Sequence, residues 1–194
     1  SGARQAVRHL LEHGHQRIAF AGNLRQKDIR ERYEAYRDEL TASGIACDPE
    51  LLYDTGDNQR AGGERAARAM LAAGLPSTAV LTGNDLNAVG LMQALAAAGH
   101  RVPEAQAVVG FDDIAAAAFQ DPRLSTVRQH IEEVGATAAG LLIRMITSGE
   151  TPATHHYLPT TLVTRESCGC SAALTDEVPD RDTVTSRELL GTAL

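Results

Sequence analysis

The chain has 194 residues, of which 43% are hydrophobic and 22% are charged, and its formal net charge is −7. This length suffices for one ample hydrophobic core, or for a domain followed by a tail. The acidic balance argues against direct binding of nucleic acid, because phosphate neutralisation requires clustered lysines and arginines. No apolar run reaches the roughly 18 to 20 residues that span a bilayer, and the N-terminus does not resemble a secretory signal. We therefore expect a cytoplasmic protein without a membrane partner.

Hydrophobic periodicity predicts helices and strands in regular alternation. In chain order the predicted elements are helix Ala3 to His13, strand Arg17 to Gly22, helix Asp28 to Ser43, strand Leu51 to Tyr53, helix Ala61 to Ala73, strand Thr78 to Thr82, helix Asp85 to Ala98, strand Ala107 to Phe111, a short alanine-rich helix to Phe119, helix His130 to Ser148 and strand Tyr157 to Thr164. Continuously apolar strands that alternate with helices indicate right-handed βαβ units. The predicted fold class is therefore α/β, a parallel sheet with helices on both faces.

The C-terminal part changes character. The helix predicted from His130 to Ser148 has an apolar stripe, whereas the stretch after Ser171 is acidic and lacks a periodic pattern. We expect one domain over residues 1–168 and an acidic tail or linker over 169–194. The alternative for the tail is a short helix from Ser186 to Leu190 that joins another domain.

Polar residues follow each predicted core strand. They form four clusters: Gly22 to Asp28, Gly56-Asp57-Asn58, Gly83-Asn84-Asp85 and Asp112-Asp113. In a doubly wound sheet, ligands bind outside the carboxyl ends of the strands, so we expect these clusters to share one edge. Helix capping explains single members such as Asp85 or Asp113. Capping does not explain adjacent pairs, and the spare member of each pair can face a crevice.

Arg32 is the second candidate for binding. It lies four residues after Asp28, so a solvent-exposed salt bridge along the helix is one interpretation. The other is that Arg32 reaches over the strand ends. A guanidinium among aspartates and asparagines suits a small polyhydroxylated or heterocyclic ligand, because these groups offer both donors and acceptors.

The sequence does not indicate catalysis. It contains no GxSxG, GxxxxGK[ST] or GxGxxG motif. Asp112 and Asp113 could in principle serve acid–base chemistry, hold Mg²⁺, or act as the phosphoacceptor of a receiver domain, but no partnered lysine at a later strand end is found. We expect no enzyme and no cofactor.

The histidines and cysteines do not predict a metal site. The cysteines are three in number and lack CxxC spacing: Cys47, Cys168 and Cys170. Cys168 and Cys170 flank one glycine and could form a redox pair or part of a metal site; the alternative is two incidental thiols. His13 and His15 surround a helix-ending glycine, and His155-His156 lie in a loop, so we interpret them as surface histidines without convergent ligands.

Several segments together resemble the effector-binding domain of the LacI/GalR family, the lactose- and galactose-repressor type of bacterial regulator. They run in order from about Ala3 to Cys168: HLLEHGHQRIAFAG, ERYEAYRDELTASGIACDPELLYDTGD, STAVLTGNDLNAVGLMQALAAAGHRVPEAQAVVGFDDI, DPRLSTVRQHIEEVGATAAGLLIRMI and LPTTLVTRESC. The resemblance implies a type I periplasmic binding protein fold, in which two α/β lobes are joined by three crossing segments and hold a sugar or nucleoside-like effector between them.

The resemblance also implies the site residues. The matching motifs give Arg32, Asn84, Asp85 and Asp112 as effector contacts, and Asp28 and Gln129 as further cleft or hinge positions. Asn58 stands where the family often has an aromatic residue, which disfavours a flat, stacked effector.

The resemblance covers mainly the second lobe. Most of the first lobe and the helix-turn-helix are expected to be missing, and the helix over residues 130–148 would belong to, or pack on, that first lobe. Its exposed stripe therefore predicts self-association, most simply as a homodimer, or domain exchange. The alternatives are a sensor module fused to a signalling output such as a diguanylate cyclase or kinase, and an α/β enzyme using the paired aspartates.

Overall fold

The computed structural model of the chain describes residues 1–149 and 156–171. Helices and strands alternate over almost all of this part. In chain order they are α1 (Gly2–Glu12), β1 (Ile18–Gly22), α2 (Lys27–Ala42), β2 (Leu52–Asp54), α3 (Arg60–Ala72), β3 (Ala79–Thr82), α4 (Asp85–Ala97), β4 (Ala107–Val109), β5 (Thr126–Arg128), α5 (Ile131–Ser148) and β6 (Thr161–Val163). The predicted α/β class is confirmed. The expected alanine-rich helix is a short 3-10 helix, Ala115–Phe119.

The core is a four-stranded parallel sheet with the strand order β2-β1-β3-β4. Side chains of β1 alternate between two apolar layers, as the pleat of a strand requires. Ile18 and Phe20 face the layer that contains Tyr36 of α2, whereas Ala19 and Ala21 face the layer that contains Met70 of α3. Helices cover both faces, so the strands need no polar side.

Helices α3 and α4 approach each other closely because glycines lie at their contact. A Cβ atom built on Gly63 would overlap the carbonyl oxygen of Asn87, and one built on Gly90 would overlap that of Arg60. The backbone of one helix therefore rests on the backbone of the other. This contact fixes the start of α4, and with it the polar cluster that follows β3.

Strands β5 and β6 form an antiparallel ribbon beside the main sheet. Isolated parallel bridges join Val109 to Ser125 and Asp112 to Arg128, so β5 runs alongside β4. The last strand was predicted over Tyr157 to Thr164, but only Thr161–Val163 pairs. The ribbon carries the chain from the sheet to α5 and back.

Helix α5 differs from the other helices, because none of its residues is buried. The predicted apolar stripe is exposed as expected, and the large side chains on it are Ile131, Val134, Leu142, Ile143, Met145 and Ile146. Within residues 1–149 and 156–171, no helix is both long and apolar enough to cross a membrane. The predictions for His155 and for the tail beyond Ser171 lie outside the described residues.

Candidate functional site

A crevice of about 540 Å³ lies at the carboxyl ends of the parallel strands. Its lining residues are Asp28, Ile29, Arg32, Asn58, Asn84, Asp112, Asp113, Ile114, Gln129 and Ile131. A second cavity of about 610 Å³, between the start of α1 and residues 157–160, shares Asp28, Arg32 and Gln129 with it. Arg32 therefore borders both. The polar clusters that follow successive strands converge, as the sheet-edge argument predicted.

Arg32 is held by four groups. Its Nη1 donates to the carbonyl oxygen of Gly83 at 2.5 Å and lies 3.4 Å from Oδ1 of Asp112, while Nη2 lies 3.2 Å from Oδ2 of Asp28. The guanidinium carbon lies 3.9 Å from the ring centroid of Phe111, a cation–π contact. Arg32 pairs with Asp28 along the helix and also reaches over the strand ends, but its side chain is only 12% exposed, so the pair is not the solvent-exposed salt bridge of the first interpretation.

Asp112 links the sheet to the crossing strand β5. Its Oδ1 accepts a hydrogen bond of 2.6 Å from Nε2 of Gln129. Burial raises the pKa of Asp112 above its ordinary value, although Arg32 and the hydrogen bond from Gln129 favour the carboxylate. The residue adopts φ of +119°, a conformation that is uncommon outside glycine and is kept here by these partners.

Asn84 and Asn58 also line the crevice. Asn84 caps α4, because its Oδ1 accepts from the backbone N–H of Asn87 at 2.8 Å, and its Nδ2 donates to the carbonyl oxygen of Asn58 at 3.0 Å. The side-chain Oδ1 of Asn58 is buried without a hydrogen-bond partner among the described residues. An unsatisfied acceptor beside a crevice suits a ligand that brings a donor.

Asp85 does not face the crevice, and the expectation that it contacts a ligand needs correction. It is fully buried; Oδ2 accepts from the backbone N–H of Ile114 at 2.9 Å, and Oδ1 lies 2.6 Å from Oγ1 of Thr126. The absence of a side chain at Gly110 makes room for this carboxyl group. Burial raises the pKa of Asp85 to about 8. Since Asn84 supplies the cap, Asp85 is free to join α4 to the ends of β4 and β5.

Asp113 also differs from its predicted role as a cap. It accepts hydrogen bonds from Nε of Arg128 at 2.6 Å and from Nη2 of Arg165 at 2.9 Å. The two arginines belong to the two sides of the ribbon. Sequence reasoning missed them, although TVR and VTRES place each at the end of a strand-like segment.

The histidine prediction is wrong in one respect. His13 does have convergent ligand groups, because one of its ring nitrogens, one ring nitrogen of His9 and Sγ of Cys170 lie within 4.8 Å of one another. His9 and His13 are four residues apart on α1 and therefore share a face, a signal that was available in the sequence. His15, in contrast, lies 2.9 Å from Oγ1 of Thr78.

A profile of the periplasmic binding protein-like domain family matches residues 7–168. The chain belongs to this family. The chain is 41% identical over 147 residues to the ribose operon repressor of Escherichia coli K12, an alignment that covers 75% of this chain and 44% of the repressor. It is 38% identical over 167 residues to the HTH-type transcriptional regulator CelR of Thermobifida fusca, covering 86% and 49%. It spans about half the length of the curated relatives it matches.

Solved structures of transcriptional regulators are similar to this chain as well. A complex of the transcriptional regulator CelR with cellobiose matches with a TM-score of 0.79 at 37% identity, over 86% of this chain and 51% of that one. A sugar-binding regulator of the LacI family from Escherichia coli, in complex with phosphate, matches with a TM-score of 0.78 at 34% identity, over 85% and 59%. Over 85–86% of its length the chain is thus similar in fold to transcriptional regulators of the LacI type.

Proposed function

We propose that this chain is the effector-sensing part of a cytoplasmic transcriptional regulator, and that its effector is a sugar or a similar polyhydroxylated molecule. The observation that carries the proposal is the hydrogen-bonded group of Arg32, Asp112 and Gln129 at the edge of the crevice. It presents a cation, a carboxyl acceptor and an amide within a single patch. Hydroxyl groups can donate to the second and accept from the other two.

Two features favour a sugar over a nucleoside. The described residues that line the crevice include no aromatic ring that could stack on a base, and the rings of Phe111 and Tyr157 line the neighbouring cavity instead. Asn58 instead contributes a buried acceptor to the wall. The printed names of the relatives, a ribose operon repressor and a complex of CelR with cellobiose, concern sugars as well.

The site suits binding better than catalysis. Asp113 is bound by Arg128 and Arg165, and Asp112 by Arg32 and Gln129, so each carboxyl group is oriented by cationic or amide donors. The relatives named above are regulators. We propose that the regulator contacts DNA outside this chain, because the net charge of −7 opposes binding of phosphates here.

The proposal is tested by titrating the purified chain with ribose, cellobiose, a set of aldohexoses and purine nucleosides, using calorimetry and thermal unfolding. A sugar is expected to bind and raise Tm. Asp112→Asn is expected to weaken binding by about 10- to 100-fold, as expected for losing a hydrogen bond to a charged group worth about 1.5–3 kcal/mol.

Matched controls lie on helix α2. Arg32→Lys removes the planar fork at the crevice, whereas Arg30→Lys makes the same change at an exposed position of the same helix. Only the first should weaken binding. Binding of nucleosides alone, binding of nothing in the panel, or equal affinity in Asp112→Asn would contradict the proposal.

A further inference from the structure

A cluster of histidines and cysteines lies outside the crevice, where α1 meets the segment that follows β6. His9 lies on α1 and His13 directly follows its last residue, and their ring centroids are 4.5 Å apart. Cys168 and Cys170 come from the other end of the described chain. Gly169 between them has φ of +93°, a left-handed conformation that turns the short Cys-Gly-Cys segment back towards α1.

The spacing of the ligand atoms matches a tetrahedral metal ion. Zinc lies about 2.3 Å from sulfur and about 2.0–2.1 Å from nitrogen, so tetrahedral angles separate the two ligand atoms by about 3.6 Å. Sγ of Cys170 lies 3.6 Å from Nε2 of His9 and 3.5 Å from Nε2 of His13. The three ligand atoms of His9, His13 and Cys170 all lie within 4.8 Å of one another, so one ion could contact all of them after an adjustment of the side chains.

Cys168 stands next to this group of three. Its Sγ atom is buried and lies 3.2 Å from Nε2 of His9. It also lies 3.3 Å from the carbonyl oxygen of Arg165, which anchors the side chain to the closing segment. It lies outside the group of three whose ligand atoms are within 4.8 Å of one another, so its side chain would have to move to become a fourth ligand.

We propose that His9, His13 and Cys170 bind a zinc ion, with Cys168 in the fourth position. Two imidazoles and two thiolates form a ligand set that zinc favours, and thiolates discriminate against hard cations such as Mg²⁺. The ion would join helix α1 to the segment 166–170, which lies more than 150 residues away in the chain. Its role is structural, since the four ligands are separate from the residues that line the crevice.

The test uses the reduced, chelator-treated 194-residue chain. Competition against a chromophoric chelator is expected to give one zinc ion per chain, and bound zinc is expected to raise Tm. Cobalt in place of zinc is expected to give thiolate-to-cobalt charge-transfer absorption in the near ultraviolet and the intense visible bands of a tetrahedral ion. Failure to bind a stoichiometric ion, or a cobalt spectrum without thiolate absorption, would overturn the proposal.

Variants separate this site from incidental binding. His13→Ala and Cys170→Ser are expected to weaken zinc binding by more than about 100-fold, because losing even an outer partner of a ligand costs about 10- to 100-fold. Cys47→Ser and His15→Gln change the same residue types elsewhere and should leave binding intact. Equal affinity in His13→Ala and the unaltered chain would overturn the proposal.

Cys168 has its own readout. Cys168→Ser is expected to reduce the thiolate-to-cobalt absorption by about half, since one of two thiolates is removed. Undiminished absorption in that variant would overturn the assignment of the fourth ligand. Sugar binding should be the same with and without zinc, so the outcome of this test is independent of the proposed effector.

Discussion

Helices α4 and α5 are both rich in apolar residues, yet they have opposite surroundings. In α4, eight of the residues are buried, whereas none is buried in α5. Leu91 and Leu95 of α4 are fully enclosed, while Leu142 and Ile143 of α5 are 56% and 60% exposed. An apolar composition therefore indicates that a helix packs against another apolar surface. Whether that surface belongs to the described chain is decided by the tertiary structure.

The largest difference in the free energy of unfolding is expected when one leucine side chain in each helix is shortened to alanine. Leu91→Ala should lower the free energy of unfolding by about 2–5 kcal/mol, because it leaves a cavity in a packed layer. Leu142→Ala should change it by less than about 0.5 kcal/mol, as at other exposed positions. Urea unfolding of dilute protein measures both, and equal losses would remove the distinction between the helices.

Two glycine-to-alanine substitutions provide a second comparison of α4 with α5. Gly90→Ala should destabilise the fold by about 1–3 kcal/mol, because the added Cβ meets the backbone of Arg60 and forces α3 and α4 apart. Gly140→Ala places its Cβ where no atom of the described residues lies within 4 Å, and it should stabilise α5 by about 0.5–1 kcal/mol. Thermal unfolding of the two variants should therefore shift in opposite directions. A loss of stability in both would show that α5 is packed after all.

The pH dependence tests the buried start of α4. Burial raises the pKa of Asp85 from 3.8 to about 8, so between these values only the folded state binds the proton. Stability contributed by this group is complete below about pH 4, decreases as pH rises, and is lost above about pH 8. The steepest slope is about 1.4 kcal/mol per pH unit.

Asp85→Asn mimics the protonated acid at every pH, because its amide can donate to Thr126 while its oxygen accepts from Ile114. The free energy of unfolding, measured at several pH values from 6 to 8, should therefore decrease less steeply with pH for this variant than for the unaltered chain. An equal dependence of the free energy of unfolding on pH in the two proteins would mean that Asp85 is ionised in the folded protein.

The smallest effect on stability, with the clearest effect on assembly, is expected on the exposed face of α5. We expect the 194-residue chain to self-associate through this face, since large exposed apolar patches mark interaction surfaces. Leu142→Glu should yield a monomer at concentrations where the unaltered chain is a dimer, with a change in the free energy of unfolding below about 0.5 kcal/mol. Light scattering after size exclusion measures the mass, and a monomer in both cases would refute self-association.

The order of elements up to β4 and the parallel sheet were predictable from the sequence, because strands buried on both faces read as continuous apolar runs. Strand β5, Thr126–Arg128, was not among the predicted strands. The edge of the sheet was predictable too, since the carboxyl ends of parallel strands coincide. What pattern could not decide is which member of Asn84-Asp85 faces outward, because both residue types cap helices well. That choice depends on the space beside Gly110, a contact between distant parts of the chain.

The cluster of His9, His13 and Cys170 shows a different limit. The spacing of the histidines was visible on α1, but the cysteine comes from a segment more than 150 residues later. Only the packing of that segment against α1 brings the three together. Likewise, the separation of Arg128 and Arg165 along the chain concealed that both bind Asp113.

The hydrogen bond between Gln129 and Asp112 also connects the crevice to the segment that leads into α5. Gln129 precedes His130, which has a left-handed backbone conformation and lies directly before the first residue of α5. A ligand that bonds to Asp112 would compete with Gln129 for this carboxylate, and we expect the backbone just before His130 to become less restrained. The crevice and the start of the eighteen-residue helix α5 are therefore connected by the hydrogen bond between Gln129 and Asp112, and also by Ile131 of α5, which lines the crevice.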